Sequence, residues 1–326
     1  MKKLLTITFI GLTLLSCRKD ELQNSDGPSL QDIYGPFTII NTLAASQNTV
    51  DFSAGQSVYF TCELSKTINW EMLIIGQTSG AEKIVNGTSK IIDASEFTWQ
   101  GGTTNLPVFR SETCDVFLTF EGETDTLSTS VTIDQPKTNE GFVLANFETG
   151  WLLGWTSFIQ SGASMDFNIK TDPSSPVGDS YYNMQGEVDW DWLVGLVNFN
   201  ATAYGSPTLP LTSNPDNLYF NALIYGDSTY INSRILFQFE EDEDGDGSFN
   251  ISNEDQFGYE IIIEWAGWKL VSIKYSDIEG NGNGGGIHNP DKINKVNMLH
   301  LADPLSGIAK SKLDYIIFTE NEPVNL

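Results

Sequence analysis

The chain has 326 residues, with 43 acidic and 17 basic side chains and a formal net charge of -26. Such a surface repels phosphate backbones and anionic headgroups, so nucleic acid and other polyanions are disfavoured as partners, whereas neutral sugars and divalent cations remain compatible. A hydrophobic content of 40% with 29 glycines predicts a globular, turn-rich protein, long enough for two domains.

Residues 1–16 have the pattern of a secretory signal peptide. Lys2 and Lys3 precede an apolar run from Leu4 to Leu15, which is too short to cross the roughly 30 Å of hydrocarbon in a bilayer. The following Leu14-Leu15-Ser16-Cys17 resembles the lipobox of bacterial lipoproteins, in which the cysteine is acylated. The resemblance implies a lipid on Cys17 and contact with the membrane through this anchor only.

Residues 17–35 are predicted to be the acylated cysteine followed by a flexible tether, because they lack periodicity and contain Gly, Pro, Ser and Asn. Arg18-Lys19-Asp20-Glu21 resembles the surface-export signal of Bacteroidetes-type lipoproteins. This resemblance implies an outer-membrane protein that faces the cell exterior. An ordinary charged tether is the alternative.

Residues 36–135 contain short alternating segments and no long run with a helical period, which predicts an immunoglobulin-like β-sandwich with a spacer role. Alternation directs Cys62 and Cys114 into the core, on separate strands with Trp70 on the strand between them. In an exported protein this arrangement predicts a disulfide between the two cysteines. Two unpaired buried thiols are the alternative.

Residues 141–326 contain many more short alternating segments, which predict a jelly-roll β-sandwich of two sheets. The whole chain is therefore predicted to be all-β. Within residues 233–240, Ile235, Phe237 and Phe239 are predicted to face the core. Arg234 and Gln238 alternate with them, so they are predicted to lie on the opposite, polar face.

Five segments of this second region carry a resemblance to a known family. They look like the corresponding strands of family-eleven carbohydrate-binding modules and their galactose-binding-like relatives, and they are residues 143–148 with Gly154-Trp155, 235–240, 268–278, 293–298 and 313–317. The resemblance implies a jelly roll with an open groove for β-glucan chains on one sheet.

By position, the resemblance places Phe158, Tyr182 and His300 near the groove. At two groove positions where the family has tyrosine, this sequence has a phenylalanine and a histidine. The resemblance also implies a structural calcium ion near Glu148 and Asp314.

Asp189-Trp190-Asp191-Trp192 alternates carboxylates with indoles, so in a strand Trp190 and Trp192 would face the same side. Indole rings cover the apolar faces of pyranoses, and Arg234 and Gln238 would add hydrogen bonds to hydroxyls. The segment therefore predicts part of a sugar-binding platform. Core or rim tryptophans of the sandwich are the alternative.

Residues 242–250 resemble the first nine residues of an EF-hand loop, with oxygen ligands at alternate positions and glycine at the turn. The predicted calcium ligands are Asp242, Asp244, Asp246, Ser248 and Asn250. The twelfth position is Asn253, where the loop normally has glutamate, so affinity is reduced unless Glu254 or Asp255 substitutes. A solvated acidic turn is the alternative.

The sequence contains no nucleophile elbow, zinc signature or phosphate loop, and the two carboxylates of a glycosidase cannot be recognised by spacing among 43 acids. A non-catalytic lipoprotein that binds a glycan beside an outer-membrane transporter of an uptake system is therefore predicted. The alternative is an accessory or structural subunit of an outer-membrane complex.

Overall fold

The computed structural model describes residues 35–188, 193–230, 233–302 and 307–326. Its strands are β1 (Ile39–Ala45), β2 (Thr49–Asp51), β3 (Val58–Gly76), β4 (Glu82–Ile92), β5 (Thr98–Trp99), β6 (Thr113–Phe120), β7 (Thr126–Gln135), β8 (Phe142–Ala145), β9 (Thr156–Ile159), β10 (Ser164–Thr171), β11 (Ser180–Glu187), β12 (Leu193–Asn200), β13 (Leu218–Gly226), β14 (Ser233–Glu241), β15 (Gln256–Ile263), β16 (Gly267–Lys274), β17 (Glu279–Gly280), β18 (Ile293–Leu301) and β19 (Ile308–Glu320). Short 3₁₀ helices span Ala201–Tyr204, Pro215–Asn217, Tyr275–Asp277 and Pro290–Lys292. Within the described ranges, no helix has the length and apolar character needed to cross a membrane.

Strands β1 to β7 form the first sandwich, in which β3 pairs with β1, β4, β5 and β6. The first half of β3 pairs with β1 and β5, and the second half of β3 pairs with β6. One strand of 19 residues therefore belongs to both layers of the sandwich. Two separate strands were predicted here. The intervening Ser65-Lys66-Thr67 has no glycine or proline to turn the chain, and the pairing with β4 only shifts register between Glu63 and Ile68.

Cys62 and Cys114 are both buried, as predicted, but they are free thiols, so the predicted disulfide is wrong. Cys62 lies opposite Ile92 in the first half of β3, whereas Cys114 lies opposite Gly76 at the end of the same strand. The merging of two predicted strands into one therefore separates the cysteines along the ladder. Burial raises the pKa of Cys62 to about 11 and that of Cys114 to about 12, so both thiols are protonated.

Strands β8 to β19 form the second sandwich of two antiparallel six-stranded sheets. The β19 sheet has the order β10-β11-β19-β13-β16, with β8 also paired to β19, and the β14 sheet has the order β17-β15-β14-β18-β12-β9. Between them lies a core rich in phenylalanine, including Phe199, Phe220, Phe237, Phe239 and Phe318. The predicted all-β fold, an immunoglobulin-like sandwich followed by a jelly-roll sandwich, is confirmed. The outer face of each sheet is the face directed away from this core.

The two sandwiches contact each other through the segment 106–110 of the first. The Arg110 side chain is only 11% exposed, and its Nη1 lies 2.6 Å from Asp179 Oδ1. Its Nη2 donates hydrogen bonds to the carbonyl oxygens of Pro173 and Ser175, both at 3.0 Å. Leu106 packs beside Tyr315 in a small apolar cluster of the second sandwich.

His300 lies in strand β18 and is fully buried. Its Nε2 lies 2.9 Å from Ser311 Oγ, and its Nδ1 has no hydrogen-bond partner among the described residues. Burial disfavours the charged imidazolium and lowers the pKa of His300 to about 3. The folded protein therefore holds this imidazole neutral.

The buried histidine predicts an acid-dependent loss of stability. The unfolded chain binds a proton near pH 6.5 that the folded chain binds only near pH 3, so stability falls as the pH is lowered between these values. Between pH 7.5 and 5 the loss from His300 is expected to be about 2 kcal/mol. Urea unfolding of the wild type and of His300→Gln measures this difference, because glutamine does not titrate. If the free energy of unfolding changed with pH by the same amount in the wild type and in His300→Gln, the prediction would be contradicted.

Candidate functional site

An apolar row crosses the outer face of the β14 sheet. Strand register aligns Phe158, Leu196, Leu299 and Leu236 on β9, β12, β18 and β14, and the row ends at Glu260 on β15. Their neighbours along each strand alternate with them, and those on β12, β18 and β14 are buried in the core. Phe158 is 48% exposed and the three leucines are half-buried. With strands about 4.8 Å apart, the four apolar side chains span about 14 Å, and the distance to Glu260 is about 19 Å.

A row of polar side chains runs beside the apolar row. Thr156, Asn198, Asn297 and Gln238 are aligned by the same pairings, each two residues along its strand from a member of the apolar row. Asn198 Nδ2 donates to Thr156 Oγ1 at 3.0 Å. Among the described residues, the Gln238 amide has no hydrogen-bond partner, so both its donor and its acceptor are available.

Charged side chains at the margins of these rows are paired. Arg234 Nη1 lies 2.6 Å from Glu260 Oε1, and both side chains are about one-third exposed. Glu240 lies 2.5 Å from Lys295 Nζ and accepts a hydrogen bond of 2.6 Å from Asn297 Nδ2. The rows are therefore bordered by neutralised charges, although the chain as a whole is strongly acidic.

The predicted ligand-binding residues divide between this face and the core. Phe158, Arg234 and Gln238 lie on the same outer face. Tyr182 is only 2% exposed and stacks on Phe147 with 5.5 Å between ring centroids, so it cannot contact a surface ligand. The predictions for Tyr182 and His300 are therefore wrong.

His300 lies opposite the buried Ile235, which directs its side chain into the core. A displacement of one residue in a strand exchanges the two faces, so Leu299 takes the outward position. Trp190 and Trp192 lie outside the described residues, as do Cys17 and residues 18–34 of the tether. Sequence reasoning missed Leu196, Leu299, Asn198 and Asn297, because their importance comes from pairing between distant strands.

The predicted calcium loop forms the turn between β14 and β15. Ligand atoms of Asp242, Asp244 and Asp246 lie within 4.8 Å of one another. The buried carboxylate of Asp242 accepts hydrogen bonds from the backbone N–H groups of Gly245 and Gly247, both at 2.9 Å. These two glycines have φ values of 74° and 90°, a region that side chains disfavour.

Glu254 closes the base of the same turn. It is buried, and it accepts hydrogen bonds from the N–H groups of Glu243 at 2.9 Å and Asn250 at 2.5 Å. Asn250 Oδ1 in turn accepts from the N–H of Ser252 at 3.1 Å. Glu254 thus organises the loop through its backbone. Calcium binding by this loop, including Ser248 and Asn250, stays a prediction.

Glu148 and Asp314, the second predicted calcium site, have other partners. Burial raises the pKa of Asp314 well above its usual range, and its carboxylate accepts hydrogen bonds from Ser175 Oγ at 3.0 Å and the Tyr315 N–H at 2.7 Å. Glu148 Oε1 accepts from the N–H groups of residues 179 and 180. No third acidic, histidine or cysteine side chain of the described residues joins the pair at metal-ligand distance.

Calcium is expected to raise the melting temperature through the Asp242 loop. A concentration one hundred times the dissociation constant adds about 2.7 kcal/mol of stability. Asp244 and Asp246 are exposed. The double variant Asp244→Ala/Asp246→Ala should therefore keep the stability of the calcium-free protein and lose the response to calcium. Thermal unfolding with calcium or magnesium measures this, with the exposed Asp125→Ala as control. An equal calcium response in the double variant would refute the site.

No protein-family model matches the sequence, and no curated protein matches it. Several solved structures are similar in fold. One, from work on promiscuous specificity in carbohydrate-binding modules of the β-sandwich superfamily, has a TM-score of 0.39 at 11% identity and covers 88% of this chain and 99% of that chain.

A family 11 carbohydrate-binding module from Clostridium thermocellum, in complex with a β-1,3-1,4-mixed-linked tetrasaccharide, has a TM-score of 0.37 at 16% identity, covering 54% of this chain and 93% of that chain. SGBP-B from a complex xyloglucan utilization locus in Bacteroides uniformis has a TM-score of 0.35 at 11% identity, covering 87% and 73%. At TM-scores below 0.5, these similarities do not identify a ligand for this chain.

Proposed function

We propose that this protein is a non-catalytic carbohydrate-binding protein whose ligand, a neutral polysaccharide or oligosaccharide, lies across the strands on the outer face of the β14 sheet. The observation that carries the proposal is the apolar row with the row of polar side chains beside it. Pyranose rings have apolar C–H faces and polar hydroxyl edges, so a sugar chain along these rows contacts both with matching chemistry.

A β-glucan-like chain is our proposal for the ligand class. The rows are open, and each spans about 14 Å across four strands, which suits an extended chain of several sugar rings better than a single monosaccharide. Phe158 supplies the aromatic surface of the row, and leucines supply the rest. The contact is therefore expected to depend on the apolar face of each ring more than on aromatic stacking.

The charges beside the rows support binding without catalysis. A glycosidase needs two carboxyl groups that face the scissile bond, one of them protonated. Glu240 and Glu260 border the rows, but each carboxylate lies within 2.6 Å of a cation, Lys295 or Arg234. Each carboxylate is therefore occupied by a cation of the protein and is not left free to face a bound sugar.

Phe158→Ala and Gln238→Ala are expected to weaken binding of a soluble mixed-linkage β-glucan, measured by titration calorimetry. Loss of one hydrogen bond at Gln238 is expected to weaken affinity about fivefold. Phe158→Ala removes apolar contact area, so we expect about a tenfold loss.

Ile159→Ala is the matched control, because Ile159 is 50% exposed on the same strand but lies on the opposite face. It should bind like the wild type. If β-glucans, xylans and mannans all give no heat with the wild type, the proposal fails. The apolar row would then favour the alternative, an accessory subunit that contacts a protein through this face.

We further propose that a lipid on Cys17 anchors the protein in the outer membrane, facing outward, beside the transporter of a glycan uptake system. The support is the order of basic residues, apolar run and cysteine in residues 1–17. Cys17→Ser should move the protein from the membrane fraction to the soluble fraction, and protease added to intact cells should remove the wild type. Protection of the wild type from protease would contradict the outward orientation.

A further inference from the structure

A second mixed row crosses the outer face of the β19 sheet, on the opposite side of the second sandwich. Strand register aligns Asn168, Asn183, Lys312, Tyr225 and Trp268 on β10, β11, β19, β13 and β16. Tyr225, Trp268 and Lys312 are half-buried, so each has part of its surface in solvent. The row therefore combines amides, one cation and aromatic rings across five strands.

The Lys312 ammonium lies near the rings of two tyrosines. Its Nζ is 4.4 Å from the ring centroid of Tyr181 and 4.7 Å from that of Tyr225. Trp268 packs edge-on against both tyrosines, with centroid distances of 5.8 and 5.5 Å. Cation–π contacts with both tyrosines hold the ammonium in place, and the indole packs against the same two rings.

Lys312 differs from its neighbours in having no carboxylate partner. Lys310 pairs with Asp227 at 2.8 Å, and Lys170 pairs with Asp166 at 3.3 Å. No carboxylate of the described residues lies within 4.0 Å of Lys312 Nζ. Lys312 acts only weakly on Asp172, whose pKa is lowered mainly by hydrogen bonds from Ser174 and less by Lys312.

We propose that this patch is a second sugar-binding site, specific for a glycan unit that carries a carboxylate, as a uronic acid does. The carboxylate would contact Lys312 Nζ, and the apolar face of the sugar would cover Trp268 and Tyr225. Asn183 is buried and its Nδ2 donates to Asp166 Oδ2 at 3.1 Å, so this end of the row is held within the protein and the ligand contacts are assigned to Lys312, Trp268 and Tyr225.

Charge complementarity selects this ligand. A chain with a net charge of -26 repels a densely charged anionic polymer, so a polyuronate would be repelled by the whole protein surface. One carboxylate in an otherwise neutral glycan meets the one unpaired ammonium of the row. The site lies on the opposite sheet from the proposed β-glucan face, so the two proposals can fail separately.

The test is titration calorimetry with a xylo-oligosaccharide that bears a single glucuronic acid, and with the same oligosaccharide after reduction of its carboxyl group. The wild type should prefer the acid form about tenfold. The preference should shrink as salt is added, because the ammonium is partly exposed. Lys312→Gln should abolish the preference, and Lys312→Arg should keep it because it keeps the charge.

Lys310→Gln is the matched control, since Lys310 lies on the same strand but is already paired. It should leave the preference unchanged. Trp268→Leu, which keeps the lysine, should weaken both oligosaccharides alike, and it tests the site if Lys312→Gln unfolds. Equal binding of the two forms by the wild type, or a preference that survives Lys312→Gln, would overturn the proposal. A preference lost instead in Gln238→Ala would assign the acid to the other face.

Discussion

Strand register in the β14 sheet is the constraint on which the outer face depends. Successive side chains of a strand point to opposite faces, so the ladder that buries Phe237 and Phe239 also turns Leu236 and Gln238 outward. Strand β14 pairs without interruption with β15 from residue 233 to 240, and with β18 over residues 234–240. A slip of one residue would bury the amides and expose phenylalanines, so the core fixes both rows at once.

Local charge pairing allows a neutral face on a very acidic protein. The partly exposed pair Arg234–Glu260 contributes little to stability, so it matters less for folding than for the charge that it cancels. Lys295 neutralises the buried carboxylate of Glu240. Glu240 also accepts a hydrogen bond from Asn297 Nδ2, so this donor is already used within the protein. On the opposite sheet the same rule holds for Lys310, and Lys312 is the exception that gives that face a different chemistry.

Local sequence patterns correctly predicted those structural features that depend on the residues of a single strand. Alternation in residues 233–240 directed Arg234 and Gln238 outward, and the segment pattern gave the all-β class. The errors arose where distant segments meet. His300 was positioned by resemblance, whereas the face to which its side chain points depends on pairing with Ile235. The predicted disulfide assumed that Cys62 and Trp70 lie on two separate strands, whereas both lie on β3. Leu196 and Leu299 become part of a candidate binding surface only because strand pairing aligns them with Phe158, and no local sequence pattern shows this alignment.

The loop at residues 172–180 connects the junction of the two sandwiches to the interior of the second. Arg110 of the first sandwich binds Asp179 and the carbonyl oxygen of Ser175, while Ser175 Oγ donates to the buried Asp314. A buried guanidinium is costly unless its partners stay in place. The contact with Arg110 therefore holds in place a loop that also satisfies an isolated buried acid, so docking of the first sandwich and order within the second support each other. A spacer docked in this way would set the direction in which both outer faces are presented.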